Sequence, residues 1–167
     1  MSFLTNLNWR YATKKFDPTR KVSDADIDTI LDAIRLAPTS FGLMPYNVYV
    51  VTNQETKDKI QAAAWNQPQV GTASHLLVFT ARSDLLKNTD EYFTLMSGGN
   101  AEIRANMKGY EDMVTGFAQS KDENSALVWA AKQAYIAHGF ALAACAELEI
   151  DSCAMEGFNP QAVGEIL

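Results

Sequence analysis

The residues best equipped for chemistry lie close to the start of the chain. Arg10, Lys14 and Lys15 stand together in Trp9-Arg10-Tyr11-Ala12-Thr13-Lys14-Lys15-Phe16-Asp17. Arginine presents a planar fork of donors that matches a phosphate, and lysine a mobile point charge. Arg10 and Lys14 are four residues apart, so on a helical turn they would project from one face. In a chain of net charge −6, such a cluster points to an anionic ligand, weighed against the plainer reading of a solvated basic turn. The common catalytic signatures are missing: there is no Gly-x-Ser-x-Gly elbow, no His-Glu-x-x-His, no Walker loop and no Gly-x-Gly-x-x-Gly. His75 and His138 lie in apolar runs and read as structural residues, so no metal is expected. Cys145 and Cys153 are too few for a disulfide framework and too far apart for a redox pair. Cys145 reads as core and the cytoplasm as the expected compartment.

These side chains need a scaffold, and the composition supplies one. The chain has 167 residues, 47% hydrophobic and 20% charged, which suits one globular domain burying about 70% of its unfolded surface. The acidic balance argues against a nucleic-acid partner. No apolar run reaches the ~18 residues needed to span a bilayer, and the first residues lack the order of a secretory signal. Ser23 and Asp26 resemble a capping box opening a helix. Ile27, Ile30, Leu31 and Ile34 then repeat at one helical face, and Pro38 ends the helix. The loop from Pro38 to Pro45 is bracketed by prolines yet apolar, so it is expected to pack rather than to float.

Tyr46–Thr52 reads as a strand, Asn53 as the cap of a helix to about Ala64, and His75–Ala81 as a second strand. Helical segments are expected over Asp84–Met96 and Asn100–Gln119, divided by Gly98-Gly99. The strongest helix runs from about Ser125 to Glu149. It is apolar on several faces, with Trp129, Tyr135 and Phe140 read as core, and a helix apolar all round is buried all round. Packing against a two-fold mate would achieve that. A third strand is expected over Ser152–Met155, and a last helix capped by Asn159 with Pro160 in its first turn.

Taken in order, several segments resemble one known family. Arg10-Tyr11-Ala12-Thr13-Lys14-Lys15-Phe16, Ala37-Pro38-Thr39-Ser40-Phe41-Gly42-Leu43-Met44-Pro45, Asn66-Gln67-Pro68-Gln69 with Ala73-Ser74-His75, Trp129–Tyr135 and Met155-Glu156-Gly157-Phe158 are similar to successive blocks of the FMN-dependent nitroreductase family, and resemble most its branch of dihydropteridine reductases and oxygen-insensitive NAD(P)H nitroreductases. The similarity is collinear over essentially the whole chain. It implies an α+β fold, with a central, mostly antiparallel sheet flanked by helices, in a domain-interlocked homodimer. It also implies FMN as cofactor, NAD(P)H as co-substrate, and ping-pong hydride transfer to a nitroaromatic, quinone, flavin or pterin.

Carried over by position, the resemblance implies the following roles. Arg10, with Tyr11 and Ala12, would hold the FMN phosphate and ribityl side. Lys14 would reach the pyrimidine end of the flavin, with Asn66 and Gln69 at its edge. Thr39 and Ser40 would come from the other subunit, supplying hydroxyls and backbone N–H groups to the cofactor, and Pro38 is a further expected cofactor-binding residue. Glu156 and Gly157 would place backbone N–H groups near the hydride-accepting atom, so Lys14 and Glu156 are the expected catalytic residues. Phe41 would line the substrate side. Met44 stands where the family commonly has Gln, and Gln69 where close relatives often have Lys. Residues 1–167 are expected to form a single nitroreductase-like domain without the family's C-terminal strand and tail. The alternative reading is a non-catalytic dimeric relic of the same fold.

Overall fold

A computed structural model describes residues 2–167. Helix α1 is Phe3–Trp9, α2 Asp24–Arg35, and a tight turn with left-handed backbone at Phe41 and Gly42 covers Ser40–Gly42. Strand β1 is Tyr46–Val51, followed by α3 Gln54–Ala63, α4 Pro68–Thr72 and β2 Leu76–Ala81. Then come α5 Leu85–Met96, α6 Ala101–Asn106, α7 Lys108–Gln119, α8 Glu123–Glu147 and α9 Pro160–Ile166. Strands β1 and β2 pair as a small antiparallel sheet among helices, so the α+β class is as expected.

Local chemistry explains most boundaries. Ser23 Oγ accepts the Asp26 N–H at 3.2 Å and donates to Asp26 Oδ2 at 2.7 Å. Ile27, Ile30 and Ile34 are buried on the face their spacing marks. Asn53, Asn100 and Asn159 each cap a helix through the side-chain oxygen. Gly98 and Gly99 take φ of 58° and 74° and close α5, a left-handed turn that glycine makes at least cost.

Two expectations are corrected, and two helices lie where the sequence carried no reading. Helix α1 was not foreseen, because its apolar side chains Phe3, Leu4, Leu7 and Trp9 are exposed and mark no buried stripe. Helix α4 was likewise missed, being only 5 residues long. The stretch Asn100–Gln119 is two helices, broken at Met107. The third strand over Ser152–Met155 is reduced to an isolated parallel bridge between Ala12 and Ser152.

The chain divides into two compact units, with boundaries inside β1, β2 and α8. The first comprises the segment ending at Leu36, Val48–Val78 and His138–Leu167. Its core is Val51, Ile60, Ala64, Val70 and Val163, joined by Leu76, Val78, Met155 and Phe158. The second comprises Ala37–Asn47 and Phe79–Ala137. Its core has two clusters, one of Leu43, Phe93 and Val114 and one of Leu85, Ala118 and Ala126, with Trp129 against both. Helix α8 buries Ala130, Ala134, Ala137, Ala141 and Cys145 but leaves Val128, Tyr135, Ile136 and Phe140 exposed. Tyr135 and Phe140 are therefore not core residues of this chain.

Candidate functional site

In the first unit, the cationic segment is fixed by strand-like pairing. Helix α1 ends at Trp9, and Arg10 is already extended (φ −68°, ψ 141°) while its N–H still donates to Asn6 O. The expectation that Arg10 and Lys14 share a helical face is thus corrected. Ala12 bridges Ser152, the Thr13 N–H donates to Ser152 O at 3.3 Å, and Thr13 Oγ1 donates to Asp151 Oδ1 at 3.0 Å. Thr13 is buried, whereas Tyr11, Lys14 and Lys15 are exposed.

Arg10 turns inward. Its Nε is shielded from solvent and has no hydrogen-bond partner; the same holds for Asn6 Oδ1 and Ser152 Oγ. Asn6 is 3% exposed and donates through Nδ2 to Glu147 Oε2 at 2.9 Å. A buried donor or acceptor without a partner costs about 1–3 kcal/mol, so a guanidinium N–H left in this state marks a place where an acceptor belongs. Burial pushes the Cys145 thiol pKa up, with Ser152 and Arg10 pulling the other way. Cys145 is inert core, as read.

The Asn66 and Glu156 segments also meet in this unit. Trp65 and Asn66 both adopt left-handed backbone, with φ of 54° and 58°. Just beyond them, α3 grips α4 by its backbone. Gln54 Nε2 donates to Gly71 O at 2.9 Å and Lys57 Nζ to Ala73 O at 2.7 Å. Lys57 is only 1% exposed, and burial pushes its pKa down, reinforced by Lys21. Gln69 is buried and donates to Gln67 Oε1 at 3.2 Å; Gln67 Nε2 donates to Gly157 O at 2.7 Å. Gln69 is thereby joined to the Glu156-Gly157 turn. That turn is tight, because the Phe158 N–H donates to Glu156 O at 3.0 Å. A trans peptide carries its N–H opposite its carbonyl, so the Gly157 N–H faces away from Phe158. Glu156 also lies near His138, favouring its charged form, but burial dominates and lowers the His138 pKa.

The second unit holds Pro38, Thr39, Ser40 and Phe41. Thr39 Oγ1 accepts the Met44 N–H at 3.1 Å, and the Ser40 N–H donates to Gln133 Oε1 at 2.9 Å. Phe41 and Met44 take positive φ, 59° and 43°, a conformation costing a non-glycine residue about 1–2 kcal/mol. Local contacts hold it. Tyr110 Oη donates to Phe41 O at 3.0 Å, Asn88 Nδ2 donates to Leu43 O at 3.1 Å, and Leu43 and Pro45 are buried. The loop packs, as its apolar content implied.

Several participants escaped sequence reasoning. Gln133 is a lone glutamine in an apolar helix, and that oddity was the available signal. Gln67 was quoted within a motif but given no role. Tyr110 and Asn6 carried no local signal, because each meets its partner only through the fold.

Comparison with known proteins bears on the family and the fold. The sequence profile described as "Nitroreductase family" matches residues 7–167. A Staphylococcus saprophyticus protein provisionally named NAD(P)H nitroreductase is 39% identical, over 99% of this chain and 78% of its own. A similarly named Staphylococcus epidermidis protein is 40% identical, over 96% of this chain and 75% of its own. Among solved structures, a Bacillus subtilis protein provisionally named a nitroreductase superposes with a TM-score of 0.86 at 21% identity, over 98% of this chain and 79% of that one. A protein of the same provisional name from Exiguobacterium sibiricum, crystallised in complex with FMN, superposes with a TM-score of 0.83 at 17% identity, over 99% of this chain and 80% of that one. With the profile spanning almost the whole sequence and relatives near 40% identity, the chain belongs to the nitroreductase family.

Proposed function

We propose that this chain is an FMN-dependent oxidoreductase that takes electrons from NAD(P)H and passes them to a nitroaromatic, quinone, flavin or pterin acceptor, working as a cytoplasmic homodimer. The observation that carries the reading is the buried, partnerless Nε of Arg10, in the segment that matches the family's opening motif. A guanidinium that lacks an acceptor in the free protein is suited to the phosphate and ribityl hydroxyls of FMN. Lys14, exposed four residues on, adds a second positive charge to the same segment, which fits an anionic cofactor.

Each segment has a distinct task. Arg10 holds the phosphate side, with the backbone of Tyr11 and Ala12 kept in place by the Ser152 bridge. Lys14, exposed on its bend, offsets negative charge at the pyrimidine end, and Asn66 and Gln69 supply hydrogen bonds along that edge. Gln67 orients the Gly157 turn, so that Glu156 and Gly157 offer main-chain N–H groups to the reacting edge. Pro38, Thr39 and Ser40 contribute from the second copy, with Phe41 lining the acceptor side. The chemistry such a cofactor supplies when bound is two-electron transfer, in a ping-pong order, from NAD(P)H first and to the acceptor second. The exposed apolar face of α8, with Ile136 and Phe140 on it, supports the second copy.

The test is spectroscopic. Purified protein, or protein reconstituted with FMN, should show flavin absorbance that bleaches anaerobically with NADH or NADPH. Arg10→Ala should weaken FMN binding by about tenfold to a hundredfold, equivalent to about 1.5–3 kcal/mol for a hydrogen bond to a charged group. A colourless protein that FMN cannot reconstitute would sink the reading and leave the non-catalytic relic in its place.

A further inference from the structure

The family resemblance assigns no role to α7, yet α7 controls the geometry of Phe41. Phe41 and Gly42 form two consecutive left-handed residues, with φ of 59° and 72°. The Phe41 carbonyl accepts from Tyr110 Oη at 3.0 Å. The Phe41 ring lies 5.0 Å from Phe117, also on α7, and Phe117 lies 5.0 Å from Trp129 on α8. Lys121 Nζ sits 4.5 Å from the Phe117 centroid. Tyr110 is itself braced, its ring 5.5 Å from buried Phe93 in an edge contact. A Cβ on Gly42 would lie 3.1 Å from Tyr92 Oη, and the Tyr92 ring is itself in edge contact with Phe93. The loop is thus held through Phe41 O and confined beside Gly42.

We propose that Tyr110 is a positioning residue that sets acceptor preference: its hydroxyl fixes the left-handed Phe41 backbone, so that Phe41, its ring held at a tilt against Phe117, which in turn packs on Trp129, offers a rigid ring face to flat aromatic acceptors. The proposal rests on the reading above that Phe41 lines the acceptor side. A rigid ring favours flat acceptors because no side-chain ordering is needed when they bind. An acceptor that takes electrons without docking on a ring gains nothing from it. Tyr110 therefore acts on acceptor KM and leaves the cofactor site alone.

The experiment compares wild-type FMN-loaded protein with Tyr110→Phe, which keeps the ring against Phe93 and removes only the hydroxyl. Two acceptors are used: menadione, a flat quinone, and ferricyanide, a compact inorganic ion. Tyr110→Phe should raise the menadione KM about fivefold, the equivalent of one neutral hydrogen bond, with ferricyanide turnover and FMN content unchanged. Amide exchange at Gly42, whose N–H donates to Thr39 O, should quicken by a similar factor. Unchanged menadione KM overturns the proposal, as does unchanged Gly42 exchange. Equal loss with both acceptors, or loss of FMN, makes Tyr110 a structural residue and overturns it too. Wild-type protein inert to both acceptors sinks the oxidoreductase reading instead, which separates the two failures.

Discussion

Burial sets the charge of both histidines, and that has a consequence in acid. His138 is held below its ordinary value chiefly by burial, against the pull of Glu156. His75 is lowered by burial as well; Asp24 opposes that shift, while Lys57 and Lys21 add to it. An unfolded histidine titrates near 6.5. Below that value the unfolded chain binds protons that the folded chain refuses, so stability falls as pH drops from about 6.5 through the folded values. Thermal melts between pH 7 and pH 5 should show a falling midpoint, and the double variant His75→Gln, His138→Gln should flatten that slope. A double variant with the wild-type slope would assign the acid sensitivity to other groups. Among the described residues there is no group of three or more His, Cys, Asp or Glu that could hold a metal ion.

Between elements, the decisive contact joins the end of α3 to the Glu156-Gly157 turn. A Cβ at Gly157 would lie 2.9 Å from the Trp65 ring and 3.3 Å from Gln67 Nε2. Gly157→Ala must displace one of them and loosen the hydrogen bond that orients the turn. We expect FMN affinity to fall about fivefold to tenfold, the scale of one hydrogen bond of about 1 kcal/mol, as read by fluorescence titration. Unaltered affinity would remove this turn from the cofactor site. Element by element, the readable parts of the sequence were those with a local cause. Ser23, Asn53 and Asn159 announced their helices by capping chemistry, and the isoleucine face of α2 by its period. Helix α1 was unreadable because its apolar residues face outward, and the Met107 break lies inside a continuous helical pattern. The bridge of Ala12 to Ser152 is a pairing across most of the chain's length, and no window of sequence contains it. The site followed the same division. Motif residues were visible in order, whereas Gln133, Gln67 and Tyr110 act on backbone atoms that only the fold brings to them.

At the scale of the molecule, α8 is the feature that a single copy leaves incomplete. Its buried face is lined by alanines, while Tyr135 is 55% and Ile136 41% exposed. Gly139 has nothing within 4 Å of where a Cβ would stand, which leaves room for a second backbone to approach. Among the described residues no helix is long and apolar enough to cross a membrane. On the proposed homodimer, Ile136→Glu should yield a monomer in sedimentation velocity and lower FMN occupancy, because Thr39 and Ser40, assigned above to the neighbouring site, would no longer reach it. A variant that sediments as wild type, with full FMN, would rule out this face as the subunit contact. Lys57, closed in with its ammonium on the Ala73 carbonyl, has a different bearing on the whole protein. Amine-directed acylation would reach the outward lysines at once and this one only when α3 lifts away from α4. The pace of its labelling is therefore a built-in clock for the opening of that helix pair.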